Sequence, residues 1–298
     1  VSVLLLFVDG LGIGTRGEHN PLDLLGDEAS PLAVFQGEEP RLPFGGLLAR
    51  TDARLGVEGR PQSASGQTTI LTGVNAPALL GYHKQGFPNA AMREIIREHS
   101  IFLRLKRLGV GPSAFANAYS PRFFAQRPRW VAATTVAVEA AGLQFRTLDD
   151  LKAGRALYHD FTNRFLVGLG ADVSHRTPEE AAEILARIAC EHRFTLYEHV
   201  IADRAGHEQN MEMALGVLRE LARFVRAVLA RVELSRTTVI LTSDHGNVED
   251  LSKRNHTLNP VPTLAWGTGR ARVASRVRSL ADVTPAILEL LTSLEAAA

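Results

Sequence analysis

The 298-residue chain carries 33 Lys and Arg against 32 Asp and Glu, a formal net charge of +1. That balance gives no electrostatic footprint for nucleic acid or an anionic membrane surface, so neither is expected as a partner. A hydrophobic content of 45% suits a chain able to bury a sizeable core, as one large α/β domain or two smaller ones. A single cysteine, Cys190, excludes an internal disulfide and any thiolate-rich zinc site. It lies in an apolar helical run beginning at Ala181, where a buried bystander is expected. No stretch reaches the ~18 apolar residues of a membrane span. Residues 1–8 are apolar, but no basic residue precedes them and Asp9-Gly10 interrupts them early, so a signal segment is not expected and a cytoplasmic location is.

Residues 3–8 read as a buried strand, followed by Asp9-Gly10-Leu11-Gly12-Ile13-Gly14. The alternating glycines do not meet the spacing of a dinucleotide-binding turn. Asp9 is therefore either a plain Asp-Gly turn or a metal ligand at a strand's carboxyl end. Residues 15–47 are rich in Gly, Pro and acidic side chains and read as irregular surface with short helices. Residues 52–57 read as an edge strand. Beyond them, the segment Pro61-Gln62-Ser63-Ala64-Ser65-Gly66-Gln67-Thr68 predicts a loop entering a helix near Ser63. The Ser63 hydroxyl is either a helix cap or a nucleophile placed where a helix N-terminus favours negative charge.

Gly81 to Pro88 forms a loop bearing His83 and Lys84. Apolar residues at helical spacing predict a helix over 91–108, closed by Gly109, and a strand over 113–118. From Tyr119 to about Gly170 the pattern loosens. This stretch holds the basic, aromatic run from Arg122 to Trp130 and a short helix over 134–141, and reads as a lid insertion or an ordinary surface excursion. Thr177-Pro178 opens a helix. Residues 194–201 read as a strand running into Ala202-Asp203-Arg204-Ala205-Gly206-His207, whose Asp203 and His207 converge on one ion if the turn folds back. A long amphipathic helix over 211–232 precedes the strand 237–241 and Ser243-Asp244-His245-Gly246-Asn247. His256-Thr257 then leads into a last strand ending at Trp266, and a closing helix spans 280–291.

Asp9, Asp203 and Asp244 each follow a predicted strand, and in a parallel sheet such ends share one edge. With His207, His245 and His256 they supply carboxylate and imidazole donors for two divalent ions. The repetition at equivalent strand ends outweighs the bland reading of each residue alone.

These motifs together resemble the alkaline phosphatase superfamily, and most closely cofactor-independent phosphoglycerate mutase. The likeness rests on Asp9-Gly, the Ser63 segment, Asp203-Arg-Ala-Gly-His207, Ser-Asp244-His245-Gly-Asn and His256-Thr-Leu-Asn-Pro-Val-Pro, in the family's order. It implies a three-layer α/β/α sandwich with a mostly parallel sheet over residues 1–298, with a reduced lid insertion at roughly 119–170. It also implies two divalent ions, Mn²⁺ or Zn²⁺, one held by Asp203, His207 and His256 and the other by Asp9, Asp244 and His245. Ser63, bound to metal, is then the nucleophile of a phosphatase or phosphomutase acting on a small phosphorylated metabolite. His83, Lys84 and Arg122 are candidate substrate contacts. The chain departs from the mutases in the short span between Ser63 and Asp203 and in Gln67, which stands where they carry histidine. The shortened insertion favours hydrolysis. The sulfatase pattern is not met, since Ser65 and Gln67 occupy the positions of its proline and arginine. A nucleotide or phosphonate hydrolase on the same site, and a non-catalytic metal scaffold, are the alternatives.

Overall fold

The computed structural model describes residues 1–293. Its strands are β1 Ser2–Val8, β2 Leu47–Thr51, β3 Ser113–Phe115, β4 Phe194–His199, β5 Thr237–Thr242 and β6 Val261–Trp266. They hydrogen-bond in the order β2-β6-β5-β1-β4-β3. β1 pairs in parallel with β4 and β5, and β3 with β4, whereas β6 runs antiparallel to both β5 and β2. The sheet is thus mostly parallel, with β6 the reversed strand among the described residues.

The principal helices are α1 Ser63–Thr72, α2 Ala90–His99, α3 Ile101–Arg107, α4 Ala133–Ala141, α5 Pro178–Glu191, α6 Ile201–Glu208, α7 Met211–Arg231, α8 Arg270–Arg276 and α9 Val283–Thr292. Strand pleating sorts β1 between two cores. Leu4, Leu6 and Val8 pack with Leu185 of α5 and with Leu221 and Phe224 of α7. Val3, Leu5 and Phe7 face the opposite layer, with Ile70 of α1, Phe102 of α3, Val136 of α4 and Ile287 of α9. Both faces of β1 are covered, which is why its sequence is continuously apolar rather than alternating. Each buried Leu contributes about 1.5–3 kcal/mol, so this central strand anchors the three-layer α/β/α stack.

Several expected boundaries move. The edge strand is Leu47–Thr51, not 52–57: the Asp52 carboxylate accepts from the amides of Arg54 and Leu55, and Leu55 and Gly56 take positive φ, so the chain turns there. The helix expected over 91–108 is broken at Ser100, whose ψ of 143° is extended. The strand expected over 113–118 shortens to Ser113–Phe115, with Asn117 and Ala118 making isolated bridges to Leu157 and Arg146. Cys190 is exposed, because the buried stripe of α5 runs through Ala181, Leu185, Ile188 and Ala189 and leaves it on the outer face. Within residues 119–170, expected as a lid insertion or surface excursion, α4 belongs to the main layer under β1, and short segments around Leu151 and Tyr158 form a small satellite core. Among the described residues no helix is long and apolar enough to cross a membrane.

Candidate metal centre

β4, β1 and β5 lie side by side and parallel, so their carboxyl ends meet at one edge of the sheet. Asp9 follows β1, and Ser243-Asp244-His245 follows β5. β6 is reversed, so its entrance, reached from His256 and Thr257, faces the same edge. Asp203 and His207 do not sit on a folded-back turn as expected. They are on α6, four residues apart and therefore on one helical face, with His207 Nε2 3.3 Å from Asp203 Oδ2. β4 ends at His199, two residues short of the expected Ile201, which begins that helix.

All six expected donors come together. Asp9, Asp244 and His245 present ligand atoms within 4.8 Å of one another, and so do Asp203, His245 and His256. His207 stands beside the second trio, its Nε2 3.2 Å from His256 Nε2. His245 thus lies between the two groups rather than in one alone, its ring stacked on that of His256 at 3.6 Å.

The imidazoles are prepared as ligands. His207 Nδ1 lies 2.9 Å from the Arg254 carbonyl oxygen, and His256 Nδ1 2.9 Å from that of Pro61. A carbonyl only accepts, so each Nδ1 carries the proton and each Nε2 offers its lone pair. Two such lone pairs facing each other across 3.2 Å, with Asp203 oxygens at 3.3 and 3.7 Å, form a donor set completed by a cation. Burial, followed by the neighbouring His245 charge, pulls His256 down to about 4, which keeps it neutral.

The other group has the opposite imbalance. Asp244 and His245 are fully buried and Asp9 nearly so. Burial, then the Asp244 charge, pushes Asp9 well above the usual carboxylate range. Asp244 is raised chiefly by burial. Burial pulls the His245 imidazolium down, but Asp244, Asp9 and Asp203 outweigh it and push it up to about 10. Asp9 Oδ1 and His245 Nδ1 are buried without hydrogen-bond partners. Unpaired buried oxygen and nitrogen donors beside crowded carboxylates fit a divalent ion held by O and N ligands.

Ser63 is the first residue of α1. The cap position belongs to Gln62, which makes no side-chain cap bond, so the Ser63 hydroxyl is not spent on capping. It points instead to the cluster, with Oγ 2.9 Å from His245 Nε2. Of the three candidate substrate contacts, none makes a hydrogen bond or ion pair with these donors among the described residues. His83 Nε2 lies 3.4 Å from the Val57 carbonyl, and Lys84 Nζ donates to the carbonyl of Gln85. Arg122 lines a separate cavity beside β3.

The supporting roles of Gln67, Asn247 and Glu249 escaped the sequence reading. Gln67 Nε2 donates to Asp9 Oδ2 at 3.3 Å and Asp244 Oδ2 at 3.2 Å, bridging two carboxylates that would otherwise repel. Asn247 Nδ2 donates to Asp203 Oδ1 at 2.7 Å. Buried Glu249 accepts from the amides of Gly12 and Asn247, the Thr257 hydroxyl and the Asn259 amide, tying together the loops that carry Asp9, His245 and His256. That knot explains two glycines: a Cβ on Gly12 or Gly246 would lie 2.1 or 2.2 Å from Glu249 Oε1. Nothing local to Glu249 announces this role, because its partners are scattered from residue 12 to residue 259.

Comparison with known proteins agrees with this geometry. Residues 168–294 match the family model described as the metalloenzyme superfamily. The 2,3-bisphosphoglycerate-independent phosphoglycerate mutase of Desulforudis audaxviator is 38% identical over 99 residues, 30% of this chain and 19% of that protein. Its counterpart in a Synechococcus strain is 31% identical over 127 residues, 38% of this chain and 24% of that protein. The match thus spans a quarter or less of these relatives' length. Among solved structures, the PH0037 protein of Pyrococcus horikoshii superposes with a TM-score of 0.57 at 13% identity, covering 97% of each chain. The cold-active alkaline phosphatase of a psychrophilic Shewanella gives 0.52 at 12% identity, covering 98% of this chain and 100% of that one. The chain thus shares the α/β fold of these solved structures, and its C-terminal part matches the metalloenzyme superfamily, with repeated partial matches to phosphoglycerate mutases.

Proposed function

We propose that this protein is a two-metal phosphoryl-transfer enzyme that uses Ser63 as nucleophile, acting as a phosphatase or phosphomutase on a small phosphorylated metabolite. The observation that carries the reading is the Ser63 hydroxyl at a helix N-terminus, 2.9 Å from His245 and free of any capping role, beside two Asp/His clusters. Asp203, His207 and His256 would hold one ion, Asp9, Asp244 and His245 the other, with Ser63 at the second. Mn²⁺ or Zn²⁺ suits these donors, and such ions, when bound, supply Lewis acidity and lower the pKa of a nearby hydroxyl.

The chain's own part follows from its geometry. The amino end of α1 favours negative charge, both on Ser63 Oγ as it loses its proton and on the incoming phosphate. Attack by Oγ forms the Oγ–P bond while the P–O bond to the substrate alcohol breaks. The serine proton ends on the departing alcohol, and a phosphoserine remains. Water then releases phosphate and restores the hydroxyl in a phosphatase. In a mutase a second hydroxyl of the same substrate takes the phosphoryl group, which requires water to be shut out. The short span between Ser63 and Asp203, part of which is α4 packed in the main core, favours the hydrolytic outcome, while the mutase relatives favour the other.

The test is turnover of p-nitrophenyl phosphate with Mn²⁺ or Zn²⁺, with phosphate release and phosphoglycerate isomerisation assayed in parallel. Ser63→Ala is expected to lower kcat by on the order of 10³-fold or more while metal binding persists. Turnover that survives this substitution overturns the assignment of Ser63.

A further inference from the structure

A cavity of about 720 Å³ opens beside β3 and the end of β4, walled by residues 115–135 with Tyr158 and His159. It is not part of the metal clusters, and the mechanism above leaves it without a task. At its floor lies Glu198, a carboxylate buried to 8% exposure on β4. Thr134 donates to Glu198 Oε2 at 3.2 Å, and the Asn117 side chain pins the Glu198 backbone by accepting from its amide and donating to its carbonyl. Tyr119 and Phe123, with ring centres 4.6 Å apart, form one wall, and Tyr158 lines the cavity as well. Arg122, Arg127 and Arg129 contribute to the lining. Arg127 is paired with Glu139 and Arg129 lies over Trp130, whereas Arg122 has no ion pair among the described residues.

The floor is linked to the candidate metal site through one intervening gap. Thr134, which holds Glu198, also borders a small gap shared with Gln67, and Gln67 bonds Asp9 and Asp244. Two side chains therefore separate the pocket from the metal-binding carboxylates.

We propose that this cavity recognises the non-transferred body of the substrate: a flat ring against Tyr119, Phe123 and Tyr158, a hydrogen-bond donor on Glu198, and a second anionic group on Arg122. The inference rests on the phosphoryl-transfer reading for the word substrate, but the binding itself does not. A buried carboxylate with a single side-chain partner keeps acceptor capacity for a ligand hydroxyl or amine. Burial, opposed by the Thr134 bond, raises Glu198 to about 7, so near neutrality the group both accepts and donates. An aromatic wall favours a ring over an open chain, and an unpaired guanidinium at the lining favours carboxylate or phosphate. A nucleotide and a phosphorylated aromatic amino acid share this chemistry.

The experiment titrates full-length Ser63→Ala protein, loaded with Mn²⁺, with adenosine 3′,5′-bisphosphate, O-phosphotyrosine and phenyl phosphate. Binding is followed by calorimetry and by the emission of Trp130, which is 49% exposed and lies 5.2 Å from the Arg129 guanidinium, whereas Trp266 is fully buried. At least one of the first two probes is expected to bind about tenfold or more tighter than phenyl phosphate, which lacks the donor and the second anion. The probe that does so decides between nucleotide and amino acid. Arg122→Ala and Glu198→Leu, in proteins whose circular dichroism is unchanged, are each expected to erase that advantage. If neither probe outbinds phenyl phosphate, or if the advantage survives both substitutions, the pocket assignment is overturned. A probe that binds as expected but is still turned over by Ser63→Ala refutes the nucleophile and leaves the pocket standing.

Discussion

The strand-end edge and the cavity beside β3 both bury carboxylates, but they resolve the charge differently. At the edge, Asp9, Asp203 and Asp244 converge with His207, His245 and His256, and two of their buried atoms, Asp9 Oδ1 and His245 Nδ1, have no hydrogen-bond partner among the described residues. In the cavity one carboxylate, Glu198, stands over a Thr134 hydroxyl, and among the described residues no cationic side chain is paired to it. Crowded carboxylates around lone-pair nitrogens call for a divalent ion, whereas a solitary buried acid is relieved by taking up a proton or meeting a donor on a ligand. The two regions therefore differ in what must arrive from outside.

The supports of the edge offer the largest effect after loss of Ser63 itself. Gly12→Ala puts a Cβ 2.1 Å from Glu249 Oε1 and 2.4 Å from its Cδ, and four hydrogen bonds hold that carboxylate where it is. Overpacking of this kind is expected to cost about 3 kcal/mol in urea unfolding. A cost below about 0.5 kcal/mol, ordinary for a surface change, would show that the loops are soft and the comparison wrong.

Much of the edge was legible because each element of it is local. A continuous apolar run leading into an Asp predicts a strand whose end carries a candidate donor, and Asp9 lies directly after β1 and Asp244 two residues after β5. Asp203 joins the edge from α6 rather than from a strand end or a turn, and the helix sets its spacing to His207. The order of β6 in the sheet and its reversal, which bring His256 to the edge, depend on long-range pairing that no short window contains. Glu249 and the cavity were illegible for the same reason. Glu198 reads as one polar residue within a strand, and its meaning comes from Thr134 and Asn117, distant in sequence. Arg122, a candidate substrate contact from the sequence, lines this cavity rather than the candidate metal clusters.

The cavity makes a smaller prediction, with a sign. Glu198 is raised from 4.5 to about 7 in the folded chain, chiefly by burial. A carboxyl held above its unfolded value binds its proton more tightly when folded. Its contribution is fully present below about pH 4.5 and is lost as pH rises through about 7. That difference corresponds to roughly 3 kcal/mol at most, at about 1.4 kcal/mol per unit. Glu198→Gln has no such proton, so its urea stability relative to the parent should improve between pH 5 and 8, by about 2 kcal/mol after relaxation around the site. Parallel pH profiles for parent and variant would mean that the cavity already supplies Glu198 with a charge partner, and the contrast between the regions would fail.

The finest test returns to the edge and asks whether its second layer of bonds acts on the metal or only on the fold. Among the described residues Glu249 makes no hydrogen bond to the six candidate donors, but it fixes the amides of Gly12 and Asn247 and the Thr257 hydroxyl, each on a loop that carries one of them. Glu249→Gln keeps the volume and removes acceptor capacity, leaving at least one of those donors unsatisfied. Outer hydrogen bonds of this type are worth about 10–100-fold in metal affinity, so Mn²⁺ binding measured by calorimetry should weaken by that factor. Glu249→Asp retains the acceptors on a shorter arm and should recover part of the affinity. Equal thermal destabilisation of the two variants with unchanged Mn²⁺ affinity would assign Glu249 to the fold alone, and would leave Gln67 and Asn247, which do touch the carboxylates, as the residues that set the ligand geometry.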